Sequence, residues 1–84
     1  MDYRLLVDLE AISLLDAMPK RNRIRLLAHF SKLRQFPEGH SDYNERDSIG
    51  RRLEISVFAG YAIHYWIDSA DRHIKVLALN PADT

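Results

Sequence analysis

Two segments in which apolar and polar residues alternate place the strongest constraint on the fold of this chain. From Arg51 to Val57 and again from Tyr61 to Asp68, nearly every second residue is apolar, and Gly60 lies between the two segments. Successive side chains of a β-strand point to opposite faces, so such alternation indicates strands with one buried face. The sequence therefore predicts two neighbouring antiparallel strands joined by a tight turn at Gly60.

The apolar residues of these strands suggest a register. We expect a three-residue loop, Phe58-Ala59-Gly60, in which glycine supplies the left-handed conformation. This loop places Val57 opposite Tyr61, and it groups apolar pairs on one face: Leu53 with Tyr65, and Ile55 with Ile63. On the other face it pairs polar and aromatic residues: Arg52 with Trp66, and Glu54 with His64. A two-residue loop would shift the pairing by one residue and set His64 beside Ile55.

The N-terminal half predicts one strand and two helices. Residues 3–7 are short, apolar and β-prone, which predicts a first strand. Asp8 is a suitable N-cap for a helix over 9–18, and Pro19 ends it because the residue before a proline resists the helical region. A second helix over 20–35 follows so closely that the two predict an antiparallel hairpin.

Each predicted helix has an apolar stripe at helical spacing. In the first helix the stripe consists of four residues: Leu9, Ile12, Leu15 and Met18. In the second it consists of four residues with one more nearby: Leu26, Leu27, Phe30 and Leu33, with Ile24. We expect these stripes to pack on the apolar face of the sheet.

The remaining segments complete a single domain over residues 1–84. Residues 37–50 are polar and lack a consistent period, which predicts a loop. A turn is expected at 69–71, a final strand over 72–79 and a short tail over 80–84. The order β-α-α-β-β-β predicts an α+β fold, in which a helical hairpin covers one face of an antiparallel sheet and leaves the other face open.

The polar set on the uncovered face is the candidate catalytic site. Arg52 could hold a phosphate, and Trp66 could stack on a base. His64 could move a proton, while Glu54 could orient the imidazole or act as a base. Together these groups could cleave RNA without a metal, with the ribose 2′-hydroxyl attacking the adjacent phosphate. An ordinary cross-strand polar pair and a surface cation–π contact would explain the same residues.

Arg51 and Lys75 are the further candidates for substrate binding, since each is a cation near the same strands. Six basic residues also lie between Pro19 and Gln35 without an acid, although 12 basic and 12 acidic side chains give the chain zero formal charge. A basic strip is either a phosphate-binding surface or a solvated helix face. Nothing in the total charge indicates a dedicated nucleic-acid binder.

Several classes of protein are disfavoured by the composition. Cysteine is absent, so the sequence has neither disulfides nor thiolate metal ligands. The four histidines have no H-x-x-x-H or H-E-x-x-H spacing, and we expect neither a metal nor a cofactor. No signal peptide and no apolar run of membrane-spanning length is visible, so we expect a cytoplasmic location without membrane contact.

The element order and the phrase LEISVFAGYAIHYWID resemble the RelE/ParE superfamily, the toxins of bacterial type II toxin–antitoxin systems. The shared pattern is a basic strand that carries Arg52, a tight turn, and Gly-Tyr-x-Ile-x-Tyr over 60–65. Pro-Lys-Arg over 19–21, after the lead helix, is also typical. The resemblance covers nearly the whole chain.

The resemblance implies a toxin held inactive by a cognate antitoxin. RelE-type members cleave mRNA in the ribosomal A site and inhibit translation, whereas ParE-type members poison DNA gyrase. Three positions that carry cations in RelE-type enzymes differ here: Ala62 follows the Gly-Tyr pair, Glu54 replaces a strand lysine, and Ala82 or Asp83 follows the last strand. Two hypotheses follow: an endoribonuclease with an atypical site, or a non-catalytic module that binds gyrase or only pairs with its antitoxin.

Overall fold

The computed structural model describes residues 2–82, which form two helices on one five-stranded sheet. The elements follow in chain order: β1 (Arg4–Val7), α1 (Leu9–Ala17), α2 (Lys20–Gln35), a 3₁₀ turn (Glu38–His40), β2 (Tyr43–Arg46), β3 (Arg52–Phe58), β4 (Tyr61–Asp68) and β5 (His73–Pro81). The strand order is β1-β5-β4-β3-β2, in which β1 runs parallel to β5 and the other neighbours are antiparallel. The predicted α+β class, with a helical hairpin on a sheet, is confirmed.

One strand lies where the sequence predicts a loop. β2 forms within residues 37–50 and pairs with the first half of β3, from Tyr43 opposite Ile55 to Arg46 opposite Arg52. All four β2 residues are exposed, so the segment lacks the alternation that marks a half-buried strand. β2 is therefore a polar edge strand, which sequence periodicity does not reveal.

The last strand is longer than predicted, because β5 continues through Asn80 and Pro81. Pro81 fits there because proline has no backbone N–H, and no further hydrogen-bond donor to the neighbouring strand is needed at the end of β5. The rest of the predicted tail begins at Ala82, and residues 83–84 lie outside the described part of the chain. Within that part, neither helix is long and apolar enough to cross a membrane.

The main core lies between the helices and the sheet. Its fully or nearly fully buried members come from α1 and its C-cap, from α2, and from strands β4 and β5: Ala11, Leu15, Met18, Leu26, Phe30, Leu33, Ile63, Tyr65, Ile74, Val76 and Leu79. The bounds of α2 and β4 match the predicted ones, since in both segments the periodicity and the flanking proline or glycine agree. The helical phase, however, is only partly as predicted.

Four of the residues assigned to the helical stripes are exposed instead: Leu9 (77%), Ile12 (39%), Ile24 (56%) and Leu27 (48%). In α1 the small Ala11 is buried together with Leu15, and in α2 His29 joins the buried residues. A helix presents an arc about 100° wide to its core, so a surplus of apolar residues leaves some of them outside it. The predicted stripes are therefore wrong for these four positions.

The β3–β4 connection determines how the open side of the sheet is built. Phe58 pairs with Tyr61, so the loop contains only Ala59 and Gly60, with φ of 54° and 84°. Two successive positive φ values are the feature of a type I′ hairpin turn, whose twist matches that of the strands. The predicted three-residue loop is wrong, because it was chosen to group the apolar residues of both strands on one face, whereas Leu53 and Ile55 lie in a separate apolar cluster. Alanine adopts the left-handed conformation here at a cost of about 1 kcal/mol.

We expect replacing the buried Leu26 to cost far more than replacing its neighbour Leu27. Leu26→Ala leaves a cavity under the sheet and should lower the free energy of unfolding by about 2–5 kcal/mol. Leu27→Ala, a matched control on the exposed side of the same turn, should change it by less than about 1 kcal/mol. Denaturant titration at low protein concentration measures both, and equal losses would contradict the helical phase described here.

The Ala59-Gly60 turn provides a second test. Ala59→Asn should raise the free energy of unfolding by about 0.5–1 kcal/mol, because asparagine tolerates the left-handed region and Asn-Gly is the preferred type I′ pair. Ala59→Val should lower it by about 1 kcal/mol or more, since a β-branched residue is strained at positive φ. Thermal and denaturant unfolding measure the two variants, and the opposite order of stability would rule out the two-residue turn.

Candidate functional site

The observed register separates the four residues that were predicted to share a face. Glu54 pairs with Tyr65, and Ile55 pairs with His64. Tyr65 packs in the core under the helices, so Glu54 lies on that side of the sheet, whereas His64 points away from it. The predicted pairs Glu54–His64 and Arg52–Trp66 are therefore wrong, because the shorter loop reverses the facing of every β3 side chain.

Arg52 and Glu54 bind each other on the helix side of the sheet. Arg52 Nε donates to Glu54 Oε2 at 2.7 Å, and Ser41 Oγ donates to Glu54 Oε1 at 2.7 Å. The Glu54 residue is only 8% exposed, and these two bonds compensate its burial. Both groups thus tie the segment after α2 to the sheet.

One cleft does bring part of the predicted set together. It has a volume of about 330 Å³ and is lined by six residues: Glu38, Arg52, Glu54, Trp66, Ile67 and Ser69. His64 is not among them. Two carboxylates, Glu38 and Glu54, line this cleft against the single cation Arg52, so the cleft does not favour a phosphate.

The uncovered side of the sheet, hereafter the open face, carries a different set of side chains. Strand pairing and packing place there residues from four strands: Glu45 of β2, Leu53 and Ile55 of β3, Ala62, His64 and Trp66 of β4, and Lys75 and Leu77 of β5, with Arg51 just before β3. Leu53, Ile55 and Ala62 are buried in a small apolar cluster on this face, against which Trp66 and Leu77 pack. The positions that the resemblance would assign to cations are thus partly apolar here.

Trp66 lies between two cations on the open face. The Arg51 guanidinium carbon is 5.0 Å from the indole centroid, and Lys75 Nζ is 4.6 Å from it. Asp47 holds Arg51 through an Nε–Oδ2 contact of 2.9 Å, and Asp68 lies 3.8 Å from Lys75. Arg51, Trp66 and Lys75, hereafter the Trp66 platform, thus form an aromatic surface with a positive charge near its ring. The structure brings these three predicted residues together.

His64 lies on the same strand two residues before Trp66, so their Cα atoms are roughly 7 Å apart on one face. Its Nδ1 is 3.6 Å from Glu45 Oε1, and its Nε2 is 3.3 Å from the amide nitrogen of Asn80. When the Asn80 amide donates to Nε2, the ring proton resides on Nδ1 and faces the Glu45 carboxylate. Glu45, and not Glu54, is therefore the carboxylate that lies beside the imidazole of His64.

Sequence reasoning missed Glu45 and Asn80 for the same reason. Each lies in a strand portion that was assigned to a loop or a tail, so neither could be placed opposite β4. The signal that could have found Glu45 is the β-prone tyrosine at the start of YNER, but it is weak beside three polar neighbours.

A second histidine, His29 of α2, lies in the core rather than at the surface. Its ring stacks on Phe58 with centroids 4.2 Å apart, and its Nε2 is 2.9 Å from Ser56 Oγ. Burial lowers the pKa of His29, and the nearby His40 and Lys32 lower it further. His29 and Ser56 are only 7% and 1% exposed, so this pair is closed to substrate.

Two more features involve titratable groups. Tyr65 donates its hydroxyl hydrogen to the Pro37 carbonyl at 2.6 Å, and burial raises the pKa of this phenol well above its usual range.

The β4–β5 turn brings together three possible metal-ligand atoms, within 4.8 Å of one another, from Asp68, Asp71 and His73. Lys75 already lies 3.8 Å from one of these carboxylates and competes with a cation for it.

Comparison with known proteins identifies the fold. No protein-family model matches the sequence, and no curated protein has detectable sequence similarity to it. Among solved structures, the chain aligns with the archaeal RelE–RelB complex from Pyrococcus horikoshii OT3 at a TM-score of 0.82 and 24% identity, covering 98% of this chain and 97% of that one. The predicted RelE/ParE-like fold is confirmed: the chain has the fold of RelE.

Two further structures are similar over comparable lengths. The toxin–antitoxin complex RelBE2 from Mycobacterium tuberculosis aligns at a TM-score of 0.80 and 17% identity, with 96% and 99% of the two chains covered. The intact E. coli RelBE toxin–antitoxin complex aligns at 0.75 and 16% identity, with 98% and 99% covered. The fold is thus shared at full length while most residues differ.

We expect the free energy of unfolding to decrease as the pH is lowered below 6.5, because His29 titrates. Its pKa in the folded protein is below the unfolded value of 6.5, so the unfolded state binds more protons below that pH. The contribution of the neutral ring is therefore complete above pH 6.5 and is lost as the pH falls toward the folded pKa. Denaturant titrations at pH 7.5 and 5.5 measure the change. His29→Gln should flatten this dependence, and an unchanged slope in that variant would contradict the assignment.

Proposed function

We propose that the chain is the toxin-like component of a type II toxin–antitoxin pair, acting on RNA in the cytoplasm through its open face. The single observation that carries this proposal is the Trp66 platform beside His64 on the uncovered side of a RelE-fold sheet. The full-length similarity to toxins in RelB–RelE complexes supports it. The same similarity supports a cognate antitoxin as the partner.

The Trp66 platform suits single-stranded RNA. An indole stacks on any base, with about 1–3 kcal/mol per base in comparable proteins. Arg51 and Lys75 lie 5.0 Å and 4.6 Å from the ring centroid and would meet the phosphates that flank a stacked base. Asp47 and Asp68 hold the two cations in place beforehand, which limits the ordering cost of binding.

His64 is the group that would carry the proton in a cleavage reaction. Its Nε2, once released from Asn80, would accept the proton of the ribose 2′-hydroxyl. The 2′-oxygen then attacks the adjacent phosphorus, the bond from phosphorus to the 5′-oxygen breaks, and a proton from water completes the leaving hydroxyl. The products are a 2′,3′-cyclic phosphate and a 5′-hydroxyl, and Glu45 stabilises the transient imidazolium.

Arg52 and Glu54 have no part in this scheme. They bind each other on the helix side of the sheet, and we assign them the structural role of anchoring Ser41. Ala62 lies beside His64 on β4 in place of the arginine that the resemblance would supply, so phosphate binding falls to Arg51 and Lys75. The proposal is therefore an endoribonuclease with an atypical site.

A ribosome-dependent cleavage assay tests the proposal. His64→Ala should lower the cleavage rate by about 100-fold or more, the usual contribution of a positioned proton acceptor. Trp66→Ala should weaken RNA association by roughly tenfold or more, because the stacking surface is lost. Lys32→Gln, which changes an exposed cation of α2, is the matched control and should cleave as the parent chain does.

Two outcomes of this assay would contradict the proposal. Cleavage that is unchanged in both site variants at unchanged stability would place the activity elsewhere. An absence of cleavage, together with inhibition of DNA gyrase supercoiling, would favour the alternative that the sequence left open, a binding module of the ParE type.

A further inference from the structure

β1 and β2 are the two edge strands of the sheet, and the outer edge of β1 leaves backbone groups unpaired within the described chain. β1 lies at the end of the strand order and has only β5 beside it in the described chain. The amide of Arg4 donates to Arg72 O, just before β5, at 2.9 Å, and the amide of Asp8 donates to Val76 O of β5 at 2.9 Å. Backbone groups alternate in direction along a strand, so those of Leu5 and Val7 point outward. This edge can therefore accept another strand.

The charges along β1 specify which strand fits. Arg4 and Asp8 lie at opposite ends of the ladder, are both exposed, and have no ion-pair partner among the described residues. Leu6 lies midway between them on the same face and is 45% exposed. If the β1 strand of a second copy pairs antiparallel with this one so that the two Leu6 residues are opposite each other, Arg4 of each copy lies opposite Asp8 of the other. Two charge pairs form in this way. The edge is thus complementary to itself.

The same register also satisfies the backbone. With Leu6 on the two-fold axis, Leu5 faces Val7 of the second copy, and these are the residues whose backbone groups point outward. The pairing therefore forms hydrogen bonds without changing the existing β1–β5 ladder. A shift of one residue would pair outward groups with inward ones. A shift of two residues would set Arg4 or Asp8 opposite Leu6 and lose both charge pairs, and a shift of four would set like charges together.

A groove beside the edge accommodates the incoming side chain. It has a volume of about 370 Å³. Its apolar wall comes from Leu5, Leu27 and Phe30, and its polar wall comes from Arg4, Ser31 and Arg34. Val7 of a second copy, facing Leu5 on the helix side of the sheet, would enter this groove. The half-exposed Leu27, which the core does not use, would then gain an apolar contact.

We propose that the chain forms a two-fold dimer through antiparallel pairing of β1 with β1 of a second copy, which joins the two sheets into one. The inference goes beyond the proposed function and does not depend on it. The dimer sets both open faces on the same side of a continuous sheet and covers neither of them. RNA cleavage is therefore a separate readout, and loss of either property leaves the other measurable.

Sedimentation equilibrium of the full chain, without an antitoxin, tests the dimer. Arg4→Glu and Asp8→Arg should each weaken association by roughly tenfold, because each sets like charges together at two symmetric positions. The double variant should restore the parent affinity. Leu6→Lys should also weaken it, by facing two ammonium groups across the axis, whereas Ile49→Lys, at a 78% exposed apolar residue far from β1, should not.

Amide hydrogen exchange adds a readout that a fold defect would not reproduce. The amides of Leu5 and Val7 should become protected as the protein concentration rises, while that of Leu6, already in the β1–β5 ladder, should not depend on concentration. A monomer at every concentration, or a charge-swapped double variant that fails to recover, would overturn the proposal. Binding of a different protein at this edge, without self-association of the chain, would also overturn it.

Discussion

The two-residue turn at Ala59-Gly60 is the constraint on which the rest of the structure depends. Side chains alternate along a strand, so the length of this loop decides which alternate set of β3 side chains faces the helices. With Phe58 opposite Tyr61, the carboxylate of Glu54 lies under the helical side, and the aliphatic Leu53 and Ile55 lie on the open side. The turn formed by Ala59 and Gly60 thus determines which β3 side chains lie on each face of the sheet.

This arrangement explains why the sheet is stable on a side that no helix covers. Leu53, Ile55 and Ala62 form an apolar cluster of their own, and Ile55 is fully buried although it faces away from the hairpin. The polar groups surround that cluster and do not form its centre. Stability and the proposed function therefore share the open face: the aliphatic residues hold the strands, and Trp66 with its two cations is the surface that the proposal assigns to RNA.

Much of the fold could be predicted from the sequence, because strong local signals coincided. Helix α2 and strand β4 were placed with correct bounds, since periodicity and flanking proline or glycine agreed. β2 could not be placed, because an exposed polar strand has no period of its own and forms only by pairing with β3. The helical stripes were partly wrong, because both helices carry more apolar residues than their buried arcs contain.

The candidate site was predictable only in part. The cations and the indole of the Trp66 platform were named from the sequence, and the structure brings them together. The partner of His64 was not, because a one-residue change of register replaces Glu54 with a residue from an unrecognised strand. An error in loop length changes a cross-strand pair such as Glu54 and His64, whereas residues on one strand keep their relation to each other.

Nuclear Overhauser contacts between β3 and β4 test the central claim most directly. The account predicts cross-strand backbone contacts of Ile55 with His64 and of Val57 with Ala62. Contacts of Glu54 with His64 and of Val57 with Tyr61 would contradict it. They would return the carboxylate to the side of the imidazole and require a three-residue turn.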